Sequence, residues 1–88
     1  MEINKDLEEK LINFGTFGYS MNKIAIILDI PMEDLIEKFE EEDSQYTRLY
    51  NRGQDLADYV IDEKLFALAR GGDLKALDKF EQRKKERG

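Results

Sequence analysis

The chain of 88 residues has no cysteine, no histidine, no tryptophan and a single proline. Without thiol or imidazole groups, disulfides, zinc-type metal sites, cysteine nucleophiles and histidine-based triads are all excluded. Neither the calcium-loop pattern D-x-D-x-D-G nor the phosphate-loop pattern G-x-x-x-x-G-K-[ST] occurs. Most hydrolytic chemistry is thereby excluded; a purely carboxylate site for Mg²⁺ or Ca²⁺ stays open in principle, and the expectation is a non-enzymatic protein with no cofactor and no metal. No apolar run approaches the ~18 residues of a membrane span. The amino-terminal "MEINKDLEEK" is acidic and polar instead of a basic leader followed by an apolar stretch. These absences predict a cytoplasmic protein with no membrane partner.

Charge is what the chain has in quantity: 39% of its residues are charged and 41% hydrophobic, interspersed as in an ordinary soluble helical protein. A net charge of −6 opposes approach to a polyanion at long range. The distribution is uneven. Seven carboxylates fall between Glu33 and Asp43, answered by Lys38 alone, whereas "EQRKKERG" at the carboxyl end is basic. A chain this short builds one small domain and buries little surface, so self-association is expected.

Apolar periodicity is helical throughout. Ile3, Leu7, Leu11 and Phe14 line one face of a first helix, with Asn4 as its cap and Gly15 and Gly18 as its stop. Ser20 caps a second helix in which Ile24, Ile27 and Leu28 share a face, ending near Asp29. Pro31 biases Ile30 away from helical geometry and starts a third helix at or near itself, with Leu35, Ile36 and Phe39 as its buried stripe. Glu33 and Asp34 suit the first turn, but Glu40 to Asp43 oppose the dipole at the far end and stop the helix by about Asp43. From Ser44 the longest pattern runs through Tyr46, Leu49, Gly53, Leu56, Val60, Leu65 and Leu68. Gly53 inside it implies a close helix crossing or a local bend. In "RGGD", Gly71 takes the left-handed terminal position and Asp73 caps a last helix through Leu74, Leu77 and Phe80.

The predicted fold is all-α, with about five helices in a single domain over residues 1–82. A helix-turn-helix occupies 20–41, a long fourth helix and a short C-terminal helix follow, and residues 83–88 form a basic, flexible tail. In the helix-turn-helix, Ile24 and Leu28 anchor the first helix, Ala25 permits close approach, Ile30 plugs the turn, and Leu35 with Phe39 anchors the second. The turn residue that is usually glycine in this motif is Asp29.

Three segments in order carry a resemblance. They are Ile24, Ala25, Leu28 and Ile30; then Tyr50, Arg52 and Gly53; then Leu65, Leu68, Ala69, Gly72, Asp73, Ala76 and Leu77. From about Leu7 to Phe80 this layout resembles the DNA-binding half of the small terminase subunits of tailed phages and prophages. The first segment is generic, and the other two in this order are more specific. The resemblance implies recognition of viral DNA at a packaging start site by a homo-oligomer, and delivery of that DNA to the large terminase subunit, inside a bacterial host cell. The small subunit is not the ATP-hydrolysing motor. This chain is short for a complete member of that family.

The candidate contacts to double-stranded DNA are Ser20, Asn22 and Lys23 at the start of the second helix, Lys38, Arg48 and Arg52, and Arg83, Lys84, Lys85 and Arg87 in the tail. The residues of the third helix that would meet DNA are instead Met32, Glu33, Ile36, Glu37 and Glu40, and carboxylates repel phosphates. A second reading follows from that: a protein-interaction module that uses Glu33, Glu37, Glu40 and Glu41 against a basic partner. A third makes the chain an assembly piece that self-associates through its carboxyl helix and tail. Each feature also has a plainer account. The acidic run serves as a solvated face, the tail as a solubilising end, Tyr46, Tyr50 and Tyr59 as shields of core edges, and "GGD" as a stop and restart between helices.

Overall fold

The structure, a computed structural model, describes residues 3–87. It consists of five helices: α1 (Lys5–Phe17), α2 (Met21–Leu28), α3 (Met32–Glu40), α4 (Gln45–Arg70) and α5 (Leu74–Arg87), with no strand among the described residues. The all-α expectation and the long fourth helix hold. None of these helices is long and apolar enough to cross a membrane. The last helix is not short, since its 14 residues exceed the 13 of α1. Where the sequence reads as one domain over 1–82, the chain divides into two compact units, Met1–Leu56 and Ala57–Gly88. Tyr46, Leu49 and Tyr50 of α4 join the core of the first unit, and Phe66 of the same helix lies against Phe80 of α5 in the second.

In the first unit, Leu11, Phe14, Ile24, Ala25, Leu35 and Tyr46 form the core. Leu11, Ile24 and Leu35 are fully enclosed, and such side chains each contribute roughly 1.5–3 kcal/mol by burial. The predicted caps are present: Asn4 Oδ1 accepts from the Leu7 N–H at 2.8 Å and Ser20 Oγ from the Lys23 N–H at 3.2 Å. Gly15 does not stop α1. It lies inside the helix, and Gly18 ends it in the left-handed conformation at φ 70°. Gly15 is needed because α1 and α4 meet backbone to backbone. A Cβ at Gly15 would sit 1.8 Å from the Tyr50 carbonyl oxygen, and one at Gly53 would sit 1.9 Å from that of Ile12. Of the two expectations for Gly53, the close crossing is the one observed. Thr16 Oγ1 fastens the crossing by donating to the carbonyls of Ile12 (2.9 Å) and Gly53 (3.3 Å).

Asp29 closes α2 in the left-handed region at φ 56°, ψ 50°. An L side chain pays a steric cost there that glycine avoids, against glycine's larger loss of chain entropy on folding. Asp29→Gly should therefore raise stability slightly, by about 0.5 kcal/mol, as a higher midpoint in thermal unfolding. A lower midpoint would assign the Asp29 side chain a stabilising role of its own.

The stripe that holds α3 is narrower than the sequence suggests. Leu35 is buried and Phe39 partly so, but Ile36 is 38% exposed, as is Ile27 of α2 at 47%. A residue one step from Leu35 is turned about 100° around the helix and leaves the core face. The carboxyl end of α3 is tied down by hydroxyls: Ser44 Oγ donates to the Lys38 carbonyl at 2.6 Å, and Thr47 Oγ1 to that of Phe39 at 2.7 Å. Ser44 also starts α4 by accepting from the Thr47 N–H at 3.2 Å.

The second unit is a helical hairpin of the latter part of α4 and α5. Its turn uses Gly72 in the positive-φ conformation (100°), not Gly71 as expected, and Asp73 Oδ1 caps α5 by accepting from the Ala76 N–H at 3.0 Å. Ala76 is buried, and the Phe66 and Phe80 rings lie 5.4 Å apart. The expected flexible tail is a correction. Residues 83–87 continue α5, because Arg83 Nε donates to Asp62 Oδ1 at 2.6 Å, Arg83 Nη2 to Asp58 Oδ1 at 3.1 Å, and Arg87 Nη2 to Asp62 Oδ2 at 2.5 Å. Gly88 lies outside the described residues.

Candidate nucleic-acid interface

Two short helices joined by the turn Asp29–Ile30–Pro31 make the segment in question. The turn is closed by the Ile30 N–H donating to the Ala25 carbonyl at 3.1 Å. Ser20, Asn22 and Lys23 are exposed around the first turn of α2. The hydroxyl of Ser20 is occupied as a cap, and Lys23 Nζ lies 4.4 Å from the centre of the Tyr19 ring. Tyr19 is fixed in turn by its carbonyl, which accepts from the Tyr50 hydroxyl at 2.8 Å.

The other candidates are dispersed. Lys38 is half-buried and reaches Glu41 at 3.4 Å, so it is partly neutralised. Arg48 and Arg52 stand one turn apart on α4, and Arg48 Nη2 donates to the Asp43 carbonyl at 3.3 Å. In the second unit, Arg83 and Arg87 are engaged by Asp58 and Asp62, whereas Lys84 lies over the Phe80 ring at 5.7 Å and Lys85 is exposed. The structure therefore brings Ser20, Asn22 and Lys23 together at one helix end and Arg48 with Arg52 on another. It withdraws Arg83 and Arg87 from the set.

The outward face of α3 is acidic. Glu33, Glu37 and Glu40, at i, i+4 and i+7, share a face turned away from Leu35 and Phe39, and all three are exposed, as is Glu41. Beside them Met32 and Ile36 are 37% and 38% exposed. By sequence, the unit up to Leu56 carries thirteen Asp and Glu against six Lys and Arg, a net −7, and the unit from Ala57 carries seven against eight, a net +1. The negative charge of the chain is thus concentrated in the unit that contains α2 and α3.

Asp58 and Asp62 were not among the residues singled out from the sequence. The signal was available, because an Asp pair spaced by four on α4 faces an Arg pair spaced by four on α5. Exposed Phe17 and Ile26, at 60% and 71%, were also missed; for Ile26 the reason is that "IAIIL" is apolar on every side and its period cannot say which residue faces out.

The hydrogen bond from Arg83 holds the Asp62 carboxyl below the usual carboxylate range, partial burial opposing it and Arg87 adding to it. A carboxyl whose pKa is depressed by folding contributes stability that is fully present above its unfolded value, near ~3.9, and is lost as pH falls through the lower folded value. The contribution of Asp62 to the hairpin should therefore be lost in acid, as pH falls from the unfolded carboxylate value through the lower folded one. Asp62→Asn should weaken the hairpin at neutral pH and remove that part of the acid transition, as followed by far-ultraviolet circular dichroism. An unchanged acid profile in Asp62→Asn would mean that the cluster does not hold α5.

Comparison with known proteins finds no protein-family match, no similar curated protein and no similar solved structure.

Proposed function

We propose that the chain is a non-catalytic DNA-binding protein of phage or prophage type, resembling the small terminase subunit. In this reading it binds double-stranded viral DNA for packaging, as a homo-oligomer acting with a large terminase subunit in the cytoplasm of a bacterial host. The observation that carries the reading is the α2–turn–α3 arrangement, with a capped α2, a left-handed residue at its end and an anchored α3. The ordered segments around Tyr50 and Gly53 and around Gly72 and Asp73 support it. The acidic face of α3 moves the expected DNA contact off that helix. Ser20, Asn22 and Lys23 at the amino end of α2, with Arg48, Arg52, Lys84 and Lys85, are left to meet phosphates.

A gel-shift titration at low salt with duplex DNA from a phage packaging region tests this. Binding should weaken steeply with salt, and Arg52→Ala should lower affinity for all sequences alike. Charge reversal at Glu37, Glu40 and Glu41 should tighten binding by removing repulsion. Absence of binding by any oligomeric form sinks the proposal.

Met32 and Ile36, exposed beside Glu33, Glu37 and Glu40, favour a second reading: a protein-interaction module whose acidic face takes a basic, partly apolar partner. Under it the same charge reversal abolishes partner capture and leaves DNA binding absent.

A further inference from the structure

We propose that the α4–α5 hairpin pairs with the hairpin of a second copy of this chain about a two-fold axis, through Ile61, Leu65 and Leu68 of α4 and the Lys79–Gln82–Glu86 edge of α5. This surface is distinct from Ser20, Asn22, Lys23, Arg48, Arg52, Lys84 and Lys85, the residues left above to meet phosphates, and the pairing holds whether or not the chain binds DNA.

The hairpin is short of core. Among the described residues Ala76 is its one buried apolar residue, while Val60, Ile61 and Leu68 are 59%, 46% and 45% exposed. Two helices seldom sustain themselves on so little burial without a partner. Ile61, Leu65 and Leu68 follow one another at four and three residues and so line one face of α4. Ile61 and Leu65 floor a groove of about 430 Å³ whose other wall is α5, through Lys79, Gln82, Arg83 and Glu86.

Charge says what covers that groove. Lys79 and Glu86 stand two turns apart on the α5 edge with Gln82 and Arg83 between them; Arg83 is already paired with Asp58 and Asp62, whereas neither Lys79 nor Glu86 has an ion-pair partner among the described residues. Turned by a two-fold rotation centred near Gln82, this edge is complementary to itself, with Lys79 of each copy meeting Glu86 of the other and the two Gln82 amides meeting at the axis. A partner of uniform charge of either sign would satisfy one end and be repelled at the other. The hairpin's net charge of +1 allows like to meet like, which the −7 of the preceding unit does not favour.

Sedimentation equilibrium of the full chain, without DNA and over a range of concentrations, tests the pairing. The wild type should be a dimer. Ile61→Glu, at an exposed position, should raise the dimer dissociation constant by roughly a hundredfold or more, because the residue is buried twice in a symmetric contact. Lys79→Glu and Glu86→Lys should each weaken the dimer by about threefold to tenfold, and the double exchange should restore it, since a two-fold pair tolerates reversal of both charges. Circular dichroism shows whether each variant keeps its helices, and the two charge variants carry the test if Ile61→Glu does not. A wild type that stays monomeric, a dimer indifferent to Ile61→Glu, or a double exchange no tighter than its parents would each overturn the proposal.

Discussion

Gly53→Ala should destabilise the first unit by about 3 kcal/mol, at the upper end of what overpacking usually costs, and Gly15→Ala should do nearly as much. In an exposed helix the same change would help, because alanine is favoured over glycine by about 1 kcal/mol. The geometry reverses the sign. The methyl group at Gly53 would lie 1.9 Å from the Ile12 carbonyl oxygen and 2.8 Å from the Thr16 amide nitrogen, and both are backbone atoms that cannot rotate aside. Relief requires α1 and α4 to move apart, which breaks the Thr16 hydrogen bond to Gly53 and loosens Leu11 and Phe14 in the core. Because the two glycines serve one crossing, the double variant should cost less than the sum of the singles. Gly71→Ala is the control. Its Cβ would come no nearer than 3.4 Å to the Leu68 carbonyl, so its effect should stay within about 1 kcal/mol. Urea unfolding followed by circular dichroism measures all four, and an unchanged or higher midpoint for Gly53→Ala would contradict the close crossing.

Helix number, order and most boundaries were legible because they depend on local signals: caps at Asn4, Ser20 and Asp73, the break at Pro31, and apolar spacing in between. The partner of Gly53 was not legible. A glycine inside a helix announces a crossing or a bend, and only packing shows that Ile12 and Thr16 of α1 form the other side. The extent of α5 was misread for a related reason. "EQRKKERG" is apolar-free and reads as loose, but its order comes from Asp58 and Asp62 more than twenty residues earlier in the chain. That same pairing removed Arg83 and Arg87 from the candidate site. Periodicity likewise assigned Ile27 and Ile36 to buried faces, since a helix of eight or nine residues has too few turns to separate a true stripe from its neighbours. The acidic character of α3 was plain in the sequence. The structure added that Glu33, Glu37 and Glu40 share one outward face with Met32 and Ile36 beside it, which is where the two functional readings part.

Leu35→Ala should cost about 3 kcal/mol and release α3 from the first unit. Nine residues are too few for an isolated helix to persist in water, and the acidic residues at the carboxyl end of this one oppose its dipole. Its order therefore rests on tertiary anchors. Leu35 is fully enclosed; Phe39 is only partly buried, its ring 5.8 Å from that of Tyr46 and 6.0 Å from that of Tyr50. The hydroxyls of Ser44 and Thr47 fix the carbonyls of Lys38 and Phe39 only while α3 remains docked. Truncating Leu35 leaves a cavity in the core that it shares with Leu11 and Ile24, and Leu11 is held on α1, which cannot move without disturbing the glycine crossing. Ile36→Ala, one residue along, should change stability by less than about 1 kcal/mol, because that side chain keeps much of its contact with water. Amide hydrogen exchange resolves the two: protection across 32–40 should vanish in Leu35→Ala and survive in Ile36→Ala. Equal losses would put Ile36 in the core after all. Loss of protection in Leu35→Ala alone would show that one leucine positions the whole carboxylate face, so the same variant should also alter whichever partner, duplex DNA or basic protein, that face repels or attracts.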